Sequence, residues 1–409
     1  MKCLWLTRKF PRPGNSGELI YSDGLIRSFA TTGVDLTVVA HDNDESPVGD
    51  GSASSEFVDA ENVRWLLGTP TLGGRAASLL SRYPGDSWRL KNGGPEKLLR
   101  RELASTDWEA VIIDHAAIGW ALDLLKRLTS SPGSTPFLVY VSHNHEARVR
   151  RAVARDAAGP LPKRLALRYD AEKYARQEES LCRSVDLVTA ITETEVAAYR
   201  SQFPSQRYLC LTPGFGGREA ERPPIGPQIP RRAVMSGSFE WIAKRMNLER
   251  FLSSAADRFS EEGIQLQVVG KTDESFRAEI ATRFPAVDFV GRVPDMSPYL
   301  LDARIGLIVE ELGGGFKLKS LDYIFHGLPL AGLEQAVDGL PLHSPENILL
   351  TPDVASLTSE LVSLIDDFDR LNAMKDSALA ICRNAFRWED RDRRLLEAIE
   401  SGKQVALSR

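Results

Sequence analysis

One stretch of the chain, residues 303–329, constrains the fold more than any other. Residues 303–309 form a short apolar run, which predicts a buried strand of a parallel sheet. Three consecutive glycines (residues 313–315) follow, and then apolar residues at helical spacing. Gly327 is placed to end that helix, and Pro329 prevents its continuation. A strand, a glycine turn and a helix start predict an anion site, because glycines let the backbone approach a phosphate.

Polar residues at the start of the predicted helix indicate what such an anion would belong to. Lys317 and Lys319 add cationic donors, and Asp322 can accept hydrogen bonds from a sugar hydroxyl. Phosphate donors beside a hydroxyl acceptor predict a nucleotide-sugar pocket. The alternative is an ordinary surface helix in which Lys319 and Asp322 form an i,i+3 pair. Three glycines before the helix favour the pocket, since glycine there costs conformational entropy.

Strands and helices alternate along the rest of the 409 residues, which are too many for one core. The pattern predicts the α/β class, with two Rossmann-like doubly wound domains facing across a cleft. Residues 213–231, rich in Pro and Gly, predict a linker. We therefore expect an N-terminal, acceptor-side domain over residues 1–212, to which a crossing helix at about 386–409 returns. We expect a C-terminal, nucleotide-sugar-binding domain over residues 232–385.

Composition and charge narrow the class of protein further. The net charge of −5 argues against a nucleic-acid binder. The four cysteines lie far apart without a C-x-x-C pair, which is typical of reduced thiols in a cytoplasmic protein. The first residues predict a strand instead of a signal peptide, and no apolar run is long enough to span a bilayer. We therefore expect a cytoplasmic protein, with any membrane contact confined to the inner face.

The order of these motifs resembles the GT-B fold glycosyltransferases, in particular the retaining family-four (group 1) type. Residues 319–330 resemble that family's Lys-x-x-Glu-Ala-x-Ala-x-Gly-x-Pro-Val signature, with Asp322 where Glu is usual. The resemblance implies that Asp322 binds the ribose of the donor. Many relatives carry a second Glu where this chain has Gly314. Either Glu310 or Glu311 replaces it, or the backbone of residues 313–316 holds the sugar and phosphates.

Other turns carry weaker parts of the same resemblance. Residues 291–293 resemble the turn that meets the nucleobase, residues 236–239 a glycine-rich turn, and residues 14–17 the N-terminal diphosphate loop. Lys244 and Arg245 are the available cations beyond the second of these turns. The donor-binding residues that the resemblance implies are Gly14, Gly17, Gly237, Arg245, Arg292, Val293, Gly313, Gly314, Gly315, Phe316 and Asp322. The catalytic residues that it implies are His143, which follows a strand, and Lys319 and Lys317.

The expected function is transfer of a hexose from a nucleoside diphosphate donor, UDP or GDP, to a hydroxyl of a saccharide, lipid-linked or small-molecule acceptor. The setting would be polysaccharide, glycolipid or natural-product glycoside synthesis. No cofactor is expected besides the donor substrate, and no metal, because none of the chain's Asp-x-Asp sequences is suited to Mg²⁺. The resemblance implies retention; inversion would need a base, and His143, His145 and Asp114 are the candidates. A nucleotide-sugar 2-epimerase of the same fold and a non-catalytic nucleotide-sugar-binding protein are the alternatives.

The segment between Arg148 and Arg183 contains ten cationic residues and about half as many acidic ones. A solvated helical face is one interpretation. The other is a basic face that contacts anionic lipid head groups or a lipid-diphosphate acceptor. The sequence leaves both open.

Overall fold

The computed structural model describes residues 1–14, 16–42, 54–69, 75–128, 135–157, 159–312 and 315–407. The chain divides into two compact units, Met1–Pro213 with Trp388–Arg409, and Gly214–Arg387. Each unit is built on a largely parallel sheet flanked by helices, so the predicted α/β class with two Rossmann-like domains is confirmed.

The first unit contains an eight-stranded sheet among its described residues, in the order β3-β4-β2-β1-β5-β6-β7-β8. Its strands are β1 Lys2–Leu6, β2 Asp35–His41, β3 Ser54–Val58, β4 Arg64–Gly68, β5 Ala110–Asp114, β6 Phe137–Val141, β7 Leu187–Ala190 and β8 Tyr208–Cys210. The helices between them are α1 Gly17–Ala30, α2 Arg75–Ser78, α3 Gly85–Lys91, α4 Gly94–Ser105, α5 Ala121–Leu128, α6 Glu146–Asp156, α7 Leu161–Ser184 and α8 Glu193–Gln202.

The second unit contains a six-stranded parallel sheet among its described residues, in the order β11-β10-β9-β12-β13-β14. Its strands are β9 Arg232–Ser236, β10 Gln265–Val269, β11 Asp288–Gly291, β12 Ile305–Ile308, β13 Leu330–Leu333 and β14 Leu349–Thr351. Its helices are α9 Ile242–Glu261, α10 Glu274–Arg283, α11 Ser297–Leu301, α12 Lys319–Phe325, α13 Val354–Leu364 and α14 Phe368–Ala385. The last helix, α15 Glu389–Leu407, belongs to the first unit and packs on α1.

The strands form where the chain has short apolar runs, because an inner parallel strand is covered on both faces. Trp5 of β1, for example, is completely buried and lies opposite Val38 of β2 and Ile112 of β5. In each sheet the strand order reverses once, between β1 and β5 and between β9 and β12. Open α/β sheets bind ligands outside the carboxyl ends of the strands at such a point. These two edges are therefore where functional side chains are expected.

Two parts of the first unit have more regular structure than their local sequence predicts. Residues 41–61 are polar and rich in Asp, Ser and Gly, which predicts a surface loop, but Ser54–Val58 forms an edge strand antiparallel to β4. Residues 68–95 contain several glycines, which predict an irregular segment, but they contain α2, α3 and the start of α4. Contacts distant in sequence decide both cases: Phe57 stacks on Trp65, and the backbone of Gly68 lies against Gly94.

The Pro/Gly-rich segment that the sequence predicts as a linker is packed against the second unit from residue 214 onward. The Phe215 ring stacks on Phe325 at 4.0 Å between centroids. The Arg222 guanidinium donates to the carbonyls of Leu300 and Ala303. The prolines and glycines here belong to an irregular segment that is packed against the unit. Composition alone does not distinguish such a segment from a free linker.

Candidate active site

A cluster of lysines surrounds one carboxylate at the carboxyl end of β12. The Glu310 carboxylate lies 2.5 Å from the Lys319 ammonium, and both side chains are almost nine-tenths buried. Burial opposes the charge on Glu310, but Lys319 and Lys317 outweigh it and hold the pKa of the carboxyl below its usual range. Burial likewise opposes the charge on Lys319, while Glu310 raises the pKa of the ammonium. The ion pair is therefore charged at neutral pH.

Lys244, on the first turn of α9, completes this lysine cluster. Burial and the neighbouring charge of Lys319 lower the pKa of Lys244 to about 8. Among the described side chains, Lys244, Lys317 and Lys319 act on the single carboxylate of Glu310. The cluster consequently carries excess positive charge in a partly desolvated place. That combination favours a bound anion, whose charge would compensate the excess.

Asn247 holds the turn that follows β12. Its side-chain Nδ2 donates to the Leu312 carbonyl oxygen at 2.6 Å, and the Leu312 N–H donates to Asn247 Oδ1 at 2.8 Å. Both residues are buried. The amide therefore clamps the backbone at Leu312, two residues after Glu310. The sequence offered one signal for this residue, a polar side chain on the apolar face of a helix, and it was not used.

A second tie joins the ends of β9 and β12, where the strand order reverses. The Tyr323 hydroxyl accepts from the Ser236 N–H at 2.7 Å and shares a hydrogen bond with the Ser236 hydroxyl at 2.9 Å. The Tyr323 ring lies against Gly306 of β12, where an added Cβ would stand 2.5 Å from Cδ2. Gly306 is therefore required by this close approach.

Helix α12 begins later than its sequence predicts. The helix was expected to start directly after Gly315, but it starts at Lys319 and has seven residues. Gly315 adopts a φ of 71°, and the Phe316 ring packs against Phe386 with 5.3 Å between centroids. These two residues are held in non-helical conformations, so the anion site rests on the lysine cluster instead of on a helix start at Gly315.

The other end of α12 is as predicted. Gly327 adopts a φ of 61°, and the Leu328 N–H donates to the Tyr323 carbonyl in the pattern that closes many helices. Asp322 lies on the exposed side of this helix. The surrounding protein raises the pKa of its carboxyl to about 6, although the side chain itself is open to water. The accessible carboxylate is free to meet a ligand.

The remaining donor-binding predictions in the second unit fall into three groups. Gly237, Arg292 and Val293 lie beyond β9 and β11, whose carboxyl ends share one edge of the sheet with Glu310. Gly313 and Gly314 lie outside the described residues. Arg245 lies apart from the lysine cluster, because it donates to the Phe239 carbonyl and pairs with Asp273.

The glycine loop of the first unit lies at the carboxyl end of β1. Gly14 is exposed, and Gly17 is the first residue of α1, with Ser16 at the N-cap position. Asn15, between them, lies outside the described residues. Beside this loop the Arg8 guanidinium donates to the Glu18 carboxylate at 2.9 Å. This pair was not singled out from the sequence, although both residues flank the loop.

His143 is buried against Asp114, at the edge where β5 and β6 end. Its Nε2 donates to Asp114 Oδ1 at 2.5 Å, and Asp114 Oδ2 also accepts from the Trp5 indole at 3.0 Å. Burial opposes the imidazolium, but the Asp114 carboxylate outweighs it and raises the pKa of His143. Burial likewise opposes the Asp114 carboxylate, but His143 holds its pKa low. A charged pair of this kind positions groups, and neither member is suited to remove a proton from an acceptor.

His145, the third candidate base, is also engaged. Its ring stacks on Tyr199 at 4.5 Å between centroids, and its Nε2 lies 2.8 Å from Gln202 Nε2. Glu178 of α7 lies beneath it and accepts from the N–H groups of Glu146 and Ala147 at the start of α6. His145 therefore belongs to a buried polar network that anchors α6.

His115, next to Asp114, has backbone strain. Its φ is 85°, which is uncommon for a residue other than glycine, and its Nδ1 accepts from the Ala117 N–H at 2.9 Å. Its Nε2 lies 3.6 Å from Glu146 Oε1. Strained residues cluster at functional sites, and this one lies on the edge that carries His143.

The structure resolves the cations between Arg148 and Arg183 into two groups. Arg150 pairs with Glu146, Arg151 with Glu172, and Arg183 with Glu179. Lys173 is buried and donates to a backbone carbonyl. The segment is therefore not a uniform basic face, and the cations that lack an ion pair with a described side chain lie mainly at the start of α7. Within the described part of the chain, no helix is both long and apolar enough to cross a membrane.

Comparisons with known proteins agree with this geometry. Residues 230–367 match the family model of the glycosyl transferases group 1. Sucrose-phosphate synthase from Thermosynechococcus elongatus has a similar structure, with a TM-score of 0.72 at 16% identity over 100% of both chains. HepE from Anabaena, solved with UDP and glucose, gives 0.65 at 13% identity over 98% of this chain and 100% of its own. No curated protein sequence matches the chain.

A third solved structure, the pneumococcal O-GlcNAc transferase GtfA with UDP and GlcNAc, gives a TM-score of 0.61 at 13% identity over 98% of this chain and 99% of its own. The fold is thus that of the GT-B glycosyltransferases. Within that class, residues 230–367 match the group 1 model, so the expected resemblance to GT-B group 1 glycosyltransferases is confirmed. The lysine cluster, Asn247 and Asp322 all lie inside the matched residues.

Proposed function

We propose that the protein transfers a sugar from a nucleoside diphosphate sugar to an acceptor hydroxyl. The observation that carries the proposal is the lysine cluster of Lys244, Lys317 and Lys319 around Glu310, at the carboxyl end of β12. In such a reaction the nucleoside diphosphate departs with growing negative charge. Fixed cations aimed at that charge lower the barrier by about 3 kcal/mol or more.

Asp322 supplies the second element of donor recognition. Its exposed carboxylate follows Lys319 by three residues and would accept hydrogen bonds from the ribose hydroxyls. UDP is the preferred nucleotide in this proposal, because HepE and GtfA were solved with UDP. The acceptor we propose is a saccharide or a saccharide carried on a lipid or small molecule, in the synthesis of a polysaccharide or glycoside.

Retention of configuration is also part of the proposal. An inverting enzyme needs a base beside the acceptor hydroxyl. The three sequence candidates are poorly suited to that role, because Asp114 and His143 pair with each other and His145 belongs to the network that anchors α6. His143 would instead help to position the sugar, the role that the sequence resemblance implies. NMR of the product's anomeric configuration tests retention, and an unchanged rate in EDTA tests the proposed independence of metal ions.

Calorimetric titration with UDP tests the donor site. Lys319→Ala removes one cation and should weaken binding at least tenfold, and Asp322→Asn should weaken it by a similar factor. Lys375→Ala is the matched control, because Lys375 is a buried lysine paired with Asp376 at 2.6 Å on α14. Equal losses in Lys319→Ala and Lys375→Ala would refute the assignment of the site.

Incubation with a nucleotide sugar distinguishes transfer from the two alternatives. Release of nucleoside diphosphate that depends on an acceptor supports transfer. Formation of an epimer from the donor alone would establish the epimerase, and tight binding without turnover under either condition would establish the non-catalytic binder.

A further inference from the structure

Large apolar side chains are exposed together in one region of the first unit. Leu80, after α2, is 97% exposed, and Leu79 beside it is 46% exposed. On α7, Leu161, Leu165 and Tyr169 are 63%, 53% and 46% exposed. We call these five side chains the leucine surface. Contiguous exposed apolar area is uncommon on a soluble domain and marks a contact with a partner or a membrane.

The geometry brings the two parts of the leucine surface together. Leu161, Leu165 and Tyr169 are four residues apart, so they share one side of α7. The Lys173 ammonium donates to the Ser78 carbonyl at 2.7 Å and lies 4.3 Å from the centroid of the Tyr169 ring. Leu79 and Leu80 follow Ser78 directly and are therefore held beside Tyr169.

The first turns of α7 are only partly covered by the described residues, among which Arg164, Ala166 and Leu167 are half-buried. No side chain from Leu161 to Asp170 is buried, and the first buried residue of the helix is Ala171. A helix of a globular protein normally buries an apolar stripe against its own core. Here the stripe exists but faces outward, which indicates that it contacts something outside the chain.

Cations predominate around the leucine surface, and Asp170, the acidic residue that follows Tyr169, accepts from the Gly85 N–H. Lys163, Arg164 and Arg168 lie on the same turns, and none of them forms an ion pair with a described side chain. Residues 157–169 contain no acidic residue. Four other arginines of α6 and α7 form ion pairs, as Arg151 does with Glu172. Cations beside exposed leucines are complementary to an anionic lipid bilayer, which has negatively charged head groups above an apolar layer of acyl chains.

We propose that the leucine surface docks the protein on an anionic lipid bilayer. Leu80, Leu161 and Leu165 enter the boundary between head groups and acyl chains, and Lys163 and Arg168 contact the lipid phosphates. The proposal concerns the first unit alone and does not rest on the lysine cluster of the second unit or on the transfer reaction. The sequence indicated a possible lipid contact anywhere between Arg148 and Arg183. The proposal limits that contact to the first three turns of α7 and the residues after α2.

Sedimentation with vesicles tests this proposal. The native protein should bind vesicles containing phosphatidylglycerol and should bind much less to pure phosphatidylcholine. Leu80→Ser and Leu161→Ser should each weaken binding roughly tenfold, and Lys163→Gln roughly fivefold. Thermal melting and UDP titration of the same variants should be unchanged, since the altered residues are exposed and belong to the other unit.

Matched controls separate this contact from general effects. Val58→Ser changes an apolar residue that is 62% exposed on β3, and Lys97→Gln removes an exposed cation from α4. Neither should alter vesicle binding. Failure of the native protein to bind anionic vesicles, or equal losses in Val58→Ser and Leu80→Ser, would overturn the proposal. A third result would also overturn it: the native protein is a dimer in sedimentation velocity, Leu161→Ser dissociates that dimer, and neither protein binds vesicles. The leucine surface would then join two copies of the chain.

Discussion

Replacing Asn247 by alanine tests whether the clamp on the glycine turn serves ligand binding as well as stability. The substitution deletes two hydrogen bonds, at 2.6 and 2.8 Å, between the side chain and the Leu312 backbone. Each is worth about 1 kcal/mol, and a buried N–H or C=O left without a partner costs about 1 kcal/mol or more in addition. The free energy of unfolding of the second unit should therefore fall by roughly 2–4 kcal/mol, as measured by urea denaturation.

The same substitution should also weaken nucleotide binding. Without the clamp the turn must be ordered when the ligand binds, and ordering one or two residues costs roughly 1–2 kcal/mol each. The dissociation constant for UDP should therefore rise about tenfold or more at 25 °C. Calorimetric titration under conditions in which the variant is fully folded measures this change independently of stability.

Asn372 provides an internal control for this reasoning. Its side chain makes the same pair of hydrogen bonds to a backbone, donating to the Ile225 carbonyl and accepting from the Ile225 N–H, both at 2.9 Å. It lies on α14 of the same unit. Asn372→Ala should lower stability but leave the UDP dissociation constant unchanged. If both variants weaken UDP equally, or if Asn247→Ala leaves it unchanged, the clamp does not position the site.

Three other predictions concern pH and packing. The affinity for a nucleotide sugar, whose phosphates do not titrate near neutrality, should fall as the pH rises through about 8. The reason is that the ligand binds the protonated form of Lys244, whose pKa in the free protein is about 8. Lys244→Arg should flatten this profile. Affinity should also fall as the pH drops through about 6, where the Asp322 carboxyl becomes protonated and no longer accepts two hydroxyl donors, and Asp322→Asn should abolish that limb. Gly306→Ala places a Cβ 2.5 Å from the Tyr323 ring and should lower the free energy of unfolding by about 1–3 kcal/mol, and an unchanged melting curve would contradict the close approach.

Local patterns in the sequence were sufficient for the alternation of elements and for several of their ends. The apolar run 137–141 is β6, and Gly327 ends α12 with a positive φ, as the glycine and the following proline predict. Asp322 and Lys319 were identified because a helix with fixed spacing carries them. These features depend on the period of the secondary structure and on the φ angles that particular residues allow. Both can be read from residues close together in the sequence.

Tertiary structure decided which cations form the anion site. Lys244 and Arg245 are adjacent and equally available in the sequence, but successive helix positions point about 100° apart. Lys244 is half-buried and close enough to Lys319 and Glu310 for their charges to act on its pKa, whereas Arg245 pairs with Asp273. The clamp from Asn247 to Leu312 was likewise invisible, since it joins residues 65 positions apart. Such contacts depend on how whole elements pack, and the residues next to them in the chain do not determine that packing.

The functional picture divides in the same way. The sequence by itself determined the α/β class, the resemblance to group 1 glycosyltransferases and the turn at which the donor is expected, because these follow from local pattern and motif. Only the tertiary structure showed that His143 is a partner of Asp114, that four arginines of the basic segment form ion pairs, and that Leu161 and Leu165 of α7 face outward. The charge of a histidine, the pairing of an arginine and the exposure of a leucine are set by groups brought close through folding.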